Sequence, residues 1–105
     1  MAKTIRFDAA DYLDSEERQA AYITAAFETG DADFVRDAIG IVARARGISQ
    51  IAKRADLNRE SLYKAFGRMG NPEFSTVMRV LRALGLVLAA HPAMPKRTAR
   101  KRRAA

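Results

Sequence analysis

Apolar side chains return every three or four positions along most of this chain, and turn-forming residues break the rhythm at intervals that predict five helices. Residues 4–13, which include TIRF, are too short and mixed to define an element. Ala20, Ile23 and Phe27 then form the first helical stripe. Asp14 or Ser15 stands ahead as its N-cap, Glu16 and Glu17 complement the positive end of the helix dipole, and Gly30 is a stop. Asp31 repeats the device for a second helix that carries Val35, Ala38, Ile39, Val42 and Ala45 on one face, with Arg36, Asp37 and Arg44 opposite and Gly47 at its end. Gly40 inside it costs about 1 kcal/mol against Ala, and it marks either a close helix crossing or nothing at all.

The next two helices are short. Ser49 reads as the cap of a third that runs through Ala55; Asp56 and Leu57 form a break, and Asn58 caps a fourth that runs to about Phe66. Gly67, Gly70, Asn71 and Pro72 make a turn. In the fifth helix Val77, Leu81 and Leu84 form the apolar stripe, Arg79 and Arg82 are expected to face away, and Gly85 ends it. LVLAA, residues 86–90, is β-prone or extended and suited to pair with its own copy in a partner subunit. From Pro92 onward PAMPKRTARKRRAA has six bases and almost nothing to bury, which predicts a disordered basic tail over 92–105 behind a single folded unit over 1–91.

SQIAKRADLNRESLYKAF has the spacing of a helix-turn-helix. Small Ala52 sits where two helices cross closely, a tight turn follows four residues on, and Leu57 and Leu62 hold the second helix to the core. The turn position favours a left-handed backbone and therefore Gly; here it is Asp56, which tolerates that region better than most residues. In such a motif the helix opening at Asn58 lies in a DNA major groove and the preceding helix crosses the backbone. Arg59 is the first candidate for base reading, since its planar fork donates two hydrogen bonds to guanine, and Glu60 can accept from cytosine. Lys64 is assigned to a phosphate and Tyr63 to a phosphate or a thymine methyl, with a ring covering the core as the alternative for Tyr63. Ser49, Gln50, Lys53, Asn58 and Asn71, with the backbone near Gly70, are candidates for contacts that position the protein on the duplex. Leu62, Phe66, Val77 and Leu81 are assigned to the core.

Composition narrows the classes. The 105 residues suit one domain, 49% of them are apolar, and there is no cysteine for a disulfide or a thiolate metal site. No long apolar run follows the N-terminal MAKTIRFDAADYLD, so an intracellular, cytoplasmic setting without a membrane anchor is expected. His91 is the lone histidine and no nucleophile or carboxylate lies near it in sequence; with no phosphate loop or HExxH either, neither enzymatic activity nor a cofactor is expected. The net charge of +7 is unevenly spread: residues 1–37 hold nine acids and four bases, 38–91 hold nine bases and three acids, and 92–105 hold six bases and no acid. Two surfaces of opposite sign fit two kinds of partner.

The segments FDAADYLDSEERQAAYITAAFETGDADF, IVARARGISQIAKRADLNRESLYKAF and GNPEFSTVMRVLRALGL, between Phe7 and Leu88, resemble the Xre-type helix-turn-helix antidote proteins of chromosomal toxin–antitoxin (addiction) modules, those partnered with a RelE/ParE-like toxin of the HigB kind. NRESLYKAF followed by GNP is the most specific piece. The resemblance implies an all-α, compact, five-helix lambda-repressor-like domain that neutralises a cognate toxin and represses its own operon as a homodimer on double-stranded operator DNA. Carried over, Arg59, Glu60, Tyr63 and Lys64 read the operator, with Gln50 and Asn58 near the backbone. Asp56 stands where the family usually has Gly. RelE-like toxins are typically basic, so the acidic end around Asp8, Asp11, Asp14, Glu16 and Glu17 is the expected toxin-facing surface. A stand-alone Xre-type regulator without a toxin, and a neutraliser whose helix-turn-helix only scaffolds, are the alternatives.

Overall fold

A computed structural model describes residues 14–93, and all of its regular structure is helical: α1 (Glu16–Glu28), α2 (Ala32–Arg46), α3 (Ile48–Arg54), α4 (Arg59–Ala65) and α5 (Phe74–Ala83). Residues 4–13, for which the sequence defines no element, the acids Asp8 and Asp11 among them, and the tail beyond residue 93 fall outside these residues. No helix among the described residues is long and apolar enough to cross a membrane.

Local chemistry sets the helix starts. Ser15 Oγ accepts from the Arg18 N–H at 3.1 Å, and Asp31 Oδ1 accepts from the N–H groups of Asp33 and Phe34 at 3.0 and 3.2 Å, each satisfying donors that have no partner inside the helix. Ser49 does not cap α3. Gly47, at φ +114, ends α2 and opens α3 at once, so the third helix begins at Ile48 and Ser49 lies in its first turn. A residue that can hold a positive φ turns the chain there without a side-chain cap.

Helix α1 packs on α2, and α3 packs on α2, α4 and α5, so α3 stands at the centre. The core consists of Ile23, Ile39, Val42, Ile51, Leu62, Phe66, Val80, Leu81 and Leu84 with small Ala43, Ala52 and Ala55 between them. Burying each of the larger side chains is worth about 1.5–3 kcal/mol. Leu57 and Val77 pack against this core but remain only half-buried. Gly40 does mark a close approach: a Cβ built on it would lie 2.8 Å from the carbonyl oxygen of Phe66.

Two arginines expected on outward faces are turned inward. Arg36, with 11% of its side chain exposed, donates to the carbonyl of Gly70 at 3.1 Å, and Arg79 donates to the carbonyls of Ala55 and Asp56 at 3.1 and 3.0 Å. Carbonyls at turns that are partly withdrawn from water need donors, and a long guanidinium reaches them from a neighbouring helix. Arg46 does the same for the C-terminal end of α5, donating to Leu84 O (3.1 Å) and to Oε1 of buried Gln19 (2.9 Å), which ties α1, α2 and α5 together. LVLAA forms no strand. It runs as irregular backbone, Leu86 and Leu88 packed against the core and Val87 exposed.

Candidate functional site

The α3–turn–α4 unit is built from backbone constraints at its corner. At the end of α3 the N–H of Leu57 returns to Ala52 O (2.9 Å) and that of Asp56 to Lys53 O (3.1 Å). Asp56 sits at φ +61, the only non-glycine residue with positive φ among the described residues. The left-handed turn expected there is present. Asn58 follows in an extended conformation, and its Oδ1 accepts from the Ser61 N–H at 2.8 Å, which starts α4.

Burial divides the two helices cleanly. Ile51 and Ala52 of α3 and Leu62 of α4 face the core, whereas Ser49, Gln50, Lys53, Asn58, Arg59, Glu60, Tyr63 and Lys64 are exposed, as is Asn71 in the following loop. Every side chain that the sequence pattern singled out is therefore available to a partner. The Arg59 guanidinium stands over the Tyr63 ring, 5.6 Å from its centroid, one turn along α4. The ring is 44% exposed, so Tyr63 does not spend itself on the core; it shelves Arg59 instead.

The charges sort by element. All four ion pairs among the described residues involve α1 or α2: Arg18–Asp14, Arg36–Asp33, Arg36–Asp37 and Arg46–Glu16. Lys53, Arg54, Arg59, Lys64 and Arg68, on α3, α4 and the loop after α4, make none. Unneutralised cations on one continuous piece of chain suit a polyanion, since each phosphate they meet releases condensed counterions. Of these, Arg54 and Arg68 are not among the candidates that the sequence pattern singles out, since the loop after α4 draws attention by its glycines and Asn71 rather than by the cation between them.

A protein-family model described as "probable addiction module antidote protein" matches residues 3–92. The chain belongs to this antidote family. Its description carries a partner with it, since an antidote implies a cognate toxin. An uncharacterized protein of Haemophilus influenzae (strain Rd) is 45% identical to the antidote over 80 residues, which make up 76% of this chain and 82% of that one. No solved structure matches the antidote.

Proposed function

We propose that this antidote neutralises a RelE/ParE-like toxin and, through α3 and α4 acting as an Xre-type, lambda-repressor-like helix-turn-helix, binds the operator of its own operon and represses it. The protein acts in the cytoplasm, without enzymatic activity, and residues 1–91 carry the DNA-binding unit with 92–105 as a basic tail. Arg59 and Glu60 read base edges; Tyr63 and Lys64 lie one turn further along the groove; Ser49, Gln50, Lys53, Asn58 and Asn71 set the register on phosphates. One observation carries this reading. Behind a left-handed corner at Asp56, a helix with a buried Leu62 turns Arg59, Glu60, Tyr63 and Lys64 outward together.

A homodimer is part of the proposal, because α4 has seven residues and reads few bases alone, whereas two copies over half-sites about 34 Å apart gain both affinity and selectivity. The uncharged LVLAA segment and α5 form the subunit contact. Acids at the N-terminal end, Asp14, Glu16 and Glu17 among the described residues, are all exposed and face the toxin.

The test is a gel shift with the DNA upstream of the gene together with a pull-down of the adjacent gene product. Arg59→Ala is expected to relax base preference, whereas Lys53→Ala is expected to weaken all sequences and reduce the salt slope by about one unit. Toxin capture with no sequence-preferring DNA binding would reduce α3 and α4 to a scaffold, and DNA binding with no captured partner would leave a stand-alone regulator.

A further inference from the structure

Between the end of α1, the start of α2, the loop after α4 and the start of α5 lies a hollow of about 320 Å³ walled by Phe27, Ile39, Phe66, Pro72, Phe74 and Val77. Its interior is apolar. The two charged groups on its wall, Asp33 and Arg36, are paired with each other at 3.2 Å, and Arg36 is further held by Asp37 and the Gly70 carbonyl, so neither is left to orient a polar small molecule. Phe74 is 69% exposed at its border. A single exposed ring is ordinary, but a ring beside an open apolar hollow is surface that a partner's side chain can bury.

The rim is acidic. Asp33 lines the hollow, and Glu28, Asp31, Asp37 and Glu73 each adjoin in sequence a residue that does; all five are exposed. Arg36 is the one cation on the wall among the described residues, which leaves negative charge in excess around an uncharged centre. Glu28 also lies on the same side of α1 as Glu17, three turns and about 16 Å along it, with Ala21 and Thr24 exposed between them. An interface of ordinary size, about 800 Å² per partner, spans that distance.

We propose that this hollow is the anchor point for the cognate toxin, taking one aliphatic or aromatic side chain from it while Lys or Arg residues flanking that side chain meet the surrounding carboxylates. The rim argues for this occupant. A basic partner is drawn to it, whereas a second copy of this chain, paired about a two-fold axis, would bring the same carboxylates against themselves. The apolar centre supplies what the acids at the start of α1 do not, since exposed charge pairs contribute little and an anchor buried in a pocket carries much of the affinity. The inference rests on the reading of the chain as a toxin neutraliser and adds to it the place where the toxin is held.

The experiment is surface plasmon resonance of the full chain against the product of the adjacent gene, at about 0.1 M and about 0.5 M salt. Phe74→Ala is expected to weaken capture about thirtyfold, by the same factor at both salts, and Ala32→Trp, which brings a ring to the wall of the hollow from an exposed position, by at least as much. Glu28→Lys is expected to cost about fivefold at the lower salt and less at the higher. Circular dichroism melts check that each variant is folded. Wild-type capture that Phe74→Ala and Ala32→Trp both leave unchanged overturns this inference and leaves the neutralising reading standing. So does intact capture by Ala32→Trp together with lost self-association in analytical ultracentrifugation, which would give the hollow to a second copy. A wild-type chain that does not bind the adjacent gene product overturns the neutralising reading itself and this inference with it.

Discussion

The guanidinium of Arg79 donates to the main-chain oxygen of Asp56 at 3.0 Å, across 23 positions of sequence, and to Ala55 at 3.1 Å. These oxygens lie at the negative end of α3, where a cation is favoured by the helix dipole as well as by the hydrogen bonds. Arg79→Ala is expected to destabilise the fold by about 1–2 kcal/mol, and Arg79→Lys to recover part of that, since an ammonium supplies charge without the fork. Urea midpoints of the three proteins check the order, and an unchanged midpoint for the alanine variant would remove the clamp from the account.

Gly40→Ala sets two effects against each other. Alanine gains about 1 kcal/mol of helix propensity, but its Cβ would lie 2.8 Å from Phe66 O, and relieving that contact means moving α4 away from α2. Overpacking of this kind costs about 1–3 kcal/mol, so the net expected change is destabilising. Thermal and denaturant unfolding read it directly; a stabilised variant would show that the helices separate freely.

At Asp56 the backbone conformation decides. With φ at +61 and the side chain exposed, Gly is expected to be at least as stable as Asp, Ala to be less stable by about 1 kcal/mol, and Val to be worse still. Midpoints that rank Val above Gly would contradict a left-handed turn.

Much of this fold was legible because the relevant forces are local. Asn58 and Asp31 cap through side chains that reach three residues along the chain, Asp56 falls where one helical period stops before another begins, and Gly40 announced itself as a misfit inside an apolar stripe. The exposed set on α3 and α4 followed from which positions the core claimed. Arg36 and Arg79 depart from their expected faces for the converse reason. Periodicity gives a direction relative to one helix, whereas their partners, the carbonyls of Gly70 and of Ala55 and Asp56, lie 34 and 23 or 24 positions away. Ser49 is a good capping residue, but it stands two positions beyond Gly47, which turns the chain unaided. LVLAA shows strand propensity without strand structure, since a ladder needs a second edge.

The proposed toxin contact predicts a charge effect. Replacing the exposed Asp14 and Glu17 by Lys is expected to weaken capture of a basic toxin and to flatten its dependence on ionic strength; the exposed Asp14–Arg18 pair at 3.5 Å contributes little, and the reversed charge at the positive end of α1 costs about 1 kcal/mol of stability. Isothermal titration at two salt concentrations reads both quantities. Unchanged affinity and salt response would move the toxin to another face.

Helix α4 is thus moored at its two ends by unlike fastenings: charge at the corner that precedes it, where Arg79 grips the oxygens of Ala55 and Asp56, and bare shape at its close, where Phe66 rests on the hydrogen of a glycine. Brine and heat should loosen them in different proportions. A probe at each extremity would then report separate softening, with the leading end yielding to ionic strength while the trailing end waits for the core to melt.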